Sequence, residues 1–454
     1  MIGWTIAIVV TGGLGTALYV WFRSRNMAKR YDKIASRVKQ IDSGWNNRRT
    51  TQLLDSIYRL IDICIATDNA VFGYKAIDLL KIAFSEGVIR NNESPELAGI
   101  IIAALRREQP DIAAGALDAF RQLLKNMPSG DIYLACEQLT LIAAISYREN
   151  YYFLAAKAAE VVFVVMDRRE DEGVMSVLST IKIIGILALR RRDNGLFREL
   201  TVRLADAIDE QCWHNGFRIE VNGIVSVWLH RIIKNDDAMM LAVLTEFVRL
   251  LLSSDNLTED DMNEFIREWY NSAGIASLNP NSDLAAKIIA FTLKAILNRC
   301  GLQGLDLAVN GAGQVVRLVI SREGIKNSFP YVLPLLDTGR ELLARELKFG
   351  SGEYDDSFRQ RALFSLVREL IAIARYATRQ GTSTTVSDVI TEYYQCWLVY
   401  PEPSSVKAIK RFCQLIIVYW LRVRTRQEKK MDVSGELALP MLLDDREREK
   451  LAFF

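Results

Sequence analysis

The chain carries two histidines, His214 and His230, so acid-base chemistry that depends on imidazole has little to draw on. A helical di-metal carboxylate site needs Glu-x-x-His on inward faces, but Gln211 and Val227 stand three residues before the two histidines. Cys212 lies close to His214, yet a zinc site needs about four ligands and no others are near in sequence. Asn310-Gly311-Ala312-Gly313-Gln314-Val315-Val316 has the first two glycines of a dinucleotide loop, lacks the third and comes after no strand. Small residues for close helix packing explain it better. There is no Gly-Lys-Ser/Thr phosphate loop and no Gly-x-Ser-x-Gly elbow. Glu259, Asp260, Asp261, Glu264 and Glu268 could attract a divalent cation. Acid at a helix N-terminus also answers the macrodipole, and a solvated face is the simpler account. No catalytic residue, metal ligand or cofactor is expected, and the chain reads as something other than an enzyme.

Two basic clusters remain. One runs from Arg23 to Arg49, with nine Lys or Arg against Asp32 and Asp42. The other holds Lys407, Lys410, Arg411, Arg422, Arg424 and Arg426 near the end of the body. The second is a candidate contact patch; its plainer reading is a solvated terminal helix. The net charge of the whole chain is only +2, so a generic nucleic-acid binder is not expected.

The first cluster comes directly after an uncharged run, Ile2 to Phe22. At about 1.5 Å per residue such a helix reaches about 31 Å, close to a bilayer's hydrocarbon thickness. Trp4 at one end and Tyr19 and Trp21 at the other suit the membrane interface, as do Arg23, Arg25, Lys29 and Arg30 just beyond. A cleaved signal peptide would carry its charge before the apolar run and small residues after it; here the order is reversed. The run therefore reads as an uncleaved signal-anchor, and the positive-inside rule places the C-terminal body in the cytoplasm. Anionic lipid head groups are the expected partners of the basic stretch. Thr11, Gly12, Gly13, Gly15 and Thr16 form a small-residue patch whose spacing suits helix–helix contact, which would make the chain a homo-oligomer through this segment.

These features must be positioned by a body whose apolar period is helical almost throughout. Leu53, Leu54, Ile57, Leu60, Ile61 and Cys64 fall on one face at steps of three and four. Only 9 prolines occur in 454 residues, which favours long helices over many short strands. Ser94 before Pro95 reads as an N-cap, Thr258 with Asp261 as a capping box, and Pro110 as a helix start. Pro330 and Pro334 read as a start or kink near Tyr331 to Leu336. Short joints such as Arg90-Asn91-Asn92-Glu93 divide the body into about 17 helices, one every 20 to 24 residues or so, hence helical hairpins of about 40 to 45 residues. The units do not align to one consensus, so the repeat rests on spacing. Ile183 to Leu189 is apolar but lies between Lys182 and Arg190, too short a run to span. The cysteines, Cys64, Cys136, Cys212, Cys300, Cys396 and Cys413, form no Cys-x-x-Cys pair and read as free, mostly buried thiols in a reducing compartment.

The reading is therefore all-α. It comprises a single transmembrane helix (1–22), a basic juxtamembrane segment (23–50), an all-helical cytoplasmic body (51–430) and a tail (431–454). The body is expected as an α-solenoid-like array of helical hairpins, with a compact multi-helix bundle as the rival. The expected function is that of a membrane-anchored scaffold docking a protein partner. The alternatives are a subunit of a larger membrane complex in transport, secretion or defence, and an enzyme whose site is assembled from scattered Asp, Glu, Arg and Tyr.

Overall fold

The apolar face that opens the body is buried in full: Leu53, Leu54, Ile57, Leu60, Ile61 and Cys64 all point inward from one helix. The same three-four period recurs down the chain and, in the computed structural model, makes the described residues mostly helical. The structure describes residues 25–41, 47–90, 93–166, 171–210, 215–253, 258–279, 281–297, 302–348, 356–381, 383, 385–399, 410, 412–414 and 416. Among these, 89% are helical and no strand occurs. The proposed anchor, Ile2 to Phe22, lies outside the described residues. Within them one stretch is long and apolar enough to cross a membrane, Gly173–Arg191, and 56% of it is buried inside the protein. Such burial marks a core helix.

The chain divides into two compact units, Met1–Trp228 and Leu229–Phe454. The first holds α1 (25–38), α2 (Asn47–Ala66), α3 (Ala70–Ser85), α4 (Glu93–Arg106), α5 (Pro110–Asn126), α6 (Ile132–Arg148), α7 (Tyr152–Met166), α8 (Asp171–Arg191) and α9 (Asn194–Glu210). The boundary falls within α10 (Asn215–Asn235). In the first unit helices pair as hairpins, α2 with α3, α4 with α5, α6 with α7 and α8 with α9. Each also packs on the helix two places on: α2, α4, α6 and α8 form one layer, and α3, α5, α7 and α9 the other. That pairing pattern is the one stacked helical hairpins produce.

The second unit repeats it. Here α11 (Ala238–Ser253), α13 (Leu284–Leu297), α15 (Ile325–Lys348) and α17 (Val386–Val399) pack in one layer. The other layer is α12 (Glu259–Ala276), α14 (Leu302–Glu323) and α16 (Asp356–Arg379). Thr258 caps α12 through the expected box with Asp261, and Pro110 opens α5. Two expectations need correction. Ser94 is no cap: α4 begins at Glu93, and the buried Ser94 hydroxyl faces the Met127 sulfur at 4.0 Å. Pro330 and Pro334 mark no start, because α15 begins at Ile325 and continues through both, as the kink alternative allows.

A repeated turn gives the hairpins a common register. Asp68, Glu108, Asn150, Arg192 and Asp236 all have φ between 52° and 64°, and each lies in the turn from an even-numbered helix to the next. They stand 40, 42, 42 and 44 residues apart. In every case the next residue donates its N–H to the carbonyl five positions back: Asn69 to Cys64, Gln109 to Ala104, Tyr151 to Ser146, Asp193 to Ala188 and Asp237 to Ile232, at 2.8–3.2 Å. The bond closes a Schellman-type helix end around a left-handed residue. Asn69, Asp193 and Asp237 then cap the next helix with their side chains. Left-handed backbone costs a side-chain-bearing residue about 1–2 kcal/mol. Glu108→Gly and Arg192→Gly should therefore each raise stability by about 0.5–1 kcal/mol in urea unfolding, after the entropic cost of glycine; a loss would contradict the turn geometry.

Candidate functional site

Helix α1 carries much of the first basic cluster. Met27, Ile34 and Val38 are buried and Tyr31 half-buried, all on one side. They seat the helix on α2 and α3: Met27 sulfur lies 3.9 Å from Cys64 Sγ, and the Tyr31 ring meets Phe72 edge-on at 6.3 Å. Arg25, Lys29, Lys33 and Arg37, at steps of four, share the opposite side with Arg30, and all five are exposed. The helix that closes a stacked array needs a polar outer side for solubility, and α1 is the first described helix of this one. A side that is basic at five positions, with Asp32 as the acid beside them, goes further than solubility requires.

The outer faces of the two layers in the first unit differ in chemistry. On α3, α5 and α7 charges pair across neighbouring helices: Asp118 takes Lys81 at 3.8 Å and Lys157 at 2.7 Å, and Arg121 meets Glu160 at 3.1 Å. Its charges are largely paired, although Val71, Tyr74 and Ile82 on α3 and Tyr152 and Phe153 on α7 are exposed there as well. On α6 and α8, Tyr133 and Leu141 are exposed, and so are Met175 and Ile183, 42 residues further on. Ile102 and Ala103 on α4, Ala144 on α6 and Ile186 and Leu187 on α8 are half-buried around them. Thr140 and Thr180, with hydroxyls 3.4 Å apart, hold α6 against α8. Exposed Arg106, Arg148 and Arg190 close the same three helices, again 42 residues apart. One exposed leucine needs no explanation, and one arginine in a last turn answers the helix dipole. Recurrence of both at a single register is the feature that stands out.

Two grooves stand out among the described residues of the second unit. One, of about 460 Å³, is lined by Asp306, Ser365, Arg368 and Glu369. Glu369 pairs with Arg317 at 2.5 Å and Ser365 bonds Asp306. Burial raises the Glu369 carboxyl against the pull of Arg317. The other, of about 540 Å³, is lined by His230, Lys234, Ile275, Leu278 and Ser282, with Ser282 donating to Asp236 at 2.5 Å. In both, much of the polar lining is turned on itself.

Gly311 and Gly313 lie within α14, away from any strand. A methyl on Gly311 would stand 2.5 Å from the Tyr270 ring, and one on Gly313 would meet the Glu369 carboxylate. The glycines let α12 and α16 press against α14. Cys64, Cys136 and Cys413 are free and buried, Cys396 partly so. Burial pushes the Cys64 thiol up to about 11 and those of Cys136 and Cys413 to about 12, so they are poor nucleophiles near neutrality. No cluster of three or more metal-ligating side chains occurs among the described residues.

Of the residues expected at a membrane interface, Arg25, Lys29 and Arg30 are described; Trp4, Tyr19, Trp21 and Arg23 lie outside the described residues, as do Thr11, Gly12, Gly13, Gly15 and Thr16. Of the second basic cluster only Lys410 is described, half-buried in a helical stretch. Arg411, Arg422, Arg424, Arg426 and Lys407 lie outside. Sequence reasoning missed the arginine and apolar columns, which become visible once the chain is cut at the left-handed turns.

No protein-family model matches the chain, and no curated protein matches it significantly. Among solved structures it is similar to a circular tandem repeat protein with a novel repeat topology, at 12% identity and a TM-score of 0.27, covering 90% of this chain and 98% of that one. It is similar also to an engineered protein, at 11% identity and a TM-score of 0.31, covering 86% and 95%. Similarity at this level carries no argument about function. The class, an all-α chain of layered, repeat-like helical hairpins, rests on the helix pairing described above.

Proposed function

We propose that the chain is a membrane-held scaffold. Residues 2–22 anchor it, α1 turns its basic side to anionic head groups, and the layered hairpins behind it dock protein partners. The observation that carries this reading is α1. It lies directly after an uncharged run of spanning length, is packed onto the hairpin stack by Met27, Tyr31, Ile34 and Val38, and exposes five basic side chains. Each basic residue near an anionic surface is worth about 1 kcal/mol, so such a helix holds the body close to the lipid. A chain lacking residues 1–22 should leave the membrane fraction, or stay only until a salt wash screens the attraction of α1. The full-length chain should resist the same wash. Salt-resistant retention of the truncated chain, or a freely soluble full-length chain, would overturn the reading.

A further inference from the structure

The geometry points to the partner that the α4–α6–α8 face takes: an amphipathic helix of another protein, apolar toward Leu141 and Ile183 and acidic toward Arg106, Arg148 and Arg190. This inference rests on the scaffold reading and gives it a partner class. Tyr133, Leu141, Met175 and Ile183 are exposed in columns across neighbouring helices, with Ile102, Ala103, Ala144, Ile186 and Leu187 half-buried beneath and between; the one exposed acid between Tyr133 and Leu141, Glu137, accepts the Tyr133 hydroxyl at 2.6 Å. Along one edge run the three exposed arginines in register, with exposed Arg107 and Arg191 beside two of them. The opposite layer pairs its charges across helices, Lys81 and Lys157 on Asp118 and Arg121 on Glu160. On the arginine edge, Arg148 meets the adjacent exposed Glu149 at 2.9 Å, which leaves the edge basic. An apolar strip with a basic border is complementary to an apolar strip with an acidic border.

The spacing narrows the partner further. Packed helices stand about 8–10 Å apart, so successive arginines recur on that scale. Seven residues of helix rise about 10.5 Å. A helix laid across α4, α6 and α8 would therefore meet the ladder with Asp or Glu at every seventh position, while residues three and four apart between them cover the apolar columns.

The test uses the full-length chain in non-ionic detergent and a fluorescein-labelled synthetic helix, leucine on one side, with glutamates seven residues apart along its border. A second peptide carries lysines at those positions. The glutamate peptide should bind, and anisotropy should show affinity falling by about tenfold in Arg106→Glu/Arg148→Glu/Arg190→Glu, while the lysine peptide gains affinity for that variant. Leu141→Asn/Ile183→Asn should weaken both peptides, with the helical circular dichroism unchanged because both sites are exposed. Equal binding of the two peptides, or affinities untouched by charge reversal, would overturn the proposal. So would vesicle binding, or self-association in sedimentation, that depends on Leu141 and Ile183. Membrane retention of the unaltered chain separates the two readings: failure to bind the glutamate peptide with retention intact sinks this inference alone, and loss of retention with the peptide still bound sinks the anchor alone.

Discussion

Replacing Arg90 by alanine is expected to destabilise the first unit by about 3–5 kcal/mol, the cost of leaving a buried charge without its partner. Arg90 sits in the joint between α3 and α4 and reaches three carboxylates: Nε to Glu93 at 2.5 Å, one terminal nitrogen to Asp55 at 2.6 Å, and the other to Glu96. Its guanidinium carbon lies 5.7 Å from the centre of the Tyr58 ring. The Glu93 side chain is fully buried and also accepts the Tyr58 hydroxyl at 2.5 Å. Asp55 and Glu96 are about half exposed, so their loss matters little; the effect comes from Glu93. Burial raises the Glu93 carboxyl above its usual value, against the opposing pull of Tyr58 and Arg90. A raised carboxylate costs stability above its folded pKa, and the cost fades as pH falls through that value toward the ordinary 4.5. Removing Arg90 enlarges the shift, so Arg90→Ala should recover part of its loss in mild acid. Arg90→Ala/Glu93→Gln should recover most of it at neutral pH, and urea unfolding of the three chains measures both. A loss below about 1 kcal/mol for the single variant would show that Glu93 has another source of compensation.

The other large effect centres on Trp228. Its side chain is wholly buried, its indole nitrogen donates to the Lys182 carbonyl at 3.1 Å, and its ring meets Phe197 edge-on at 5.0 Å. Gly185 on α8 makes room for it, since a methyl there would stand 2.4 Å from the indole. Trp228→Ala should cost about 3–5 kcal/mol through the cavity it leaves. Gly185→Ala should cost about 1–3 kcal/mol through overpacking, although alanine alone would favour a helix interior by about 1 kcal/mol. In the double variant the new methyl fits the vacated space, so the losses should fall short of their sum. Thermal unfolding read at the tryptophans and by circular dichroism tracks all three; strictly additive losses would mean that α8 and α10 do not meet there.

Much of the fold is legible in the residues because burial obeys the helical period. The face from Leu53 to Cys64 is one case, and the box of Thr258 with Asp261 is another. The repeat register is not legible, and the reason is local. Helices commonly end on a left-handed glycine, whereas Asp68, Glu108, Asn150, Arg192 and Asp236 occupy that position here. With the usual punctuation missing, the columns at Leu141 and Ile183, or at Arg106, Arg148 and Arg190, look like unrelated surface residues. The joint from Arg90 to Glu93 misleads for a related reason: four polar residues in a row look solvated, yet Glu93 is the first, buried residue of α4. Basic residues beyond Phe22 look like a loose juxtamembrane stretch; Met27, Ile34 and Val38, spaced for one face, show that part of it is a packed helix. Gly311 and Gly313 are glycines because of Tyr270 and Glu369, neighbours distant in sequence.

The central proposal is that the chain is held at the cytoplasmic face of a membrane through residues 2–22, with α1 at the lipid surface. The most direct measurement is a topology reporter fused after Phe454 in the full-length chain, read in intact cells together with protease access to the body. The account predicts a reporter active on the cytoplasmic side and a body protected from protease added outside. An external reporter, or a body digested without breaking the membrane, would contradict it.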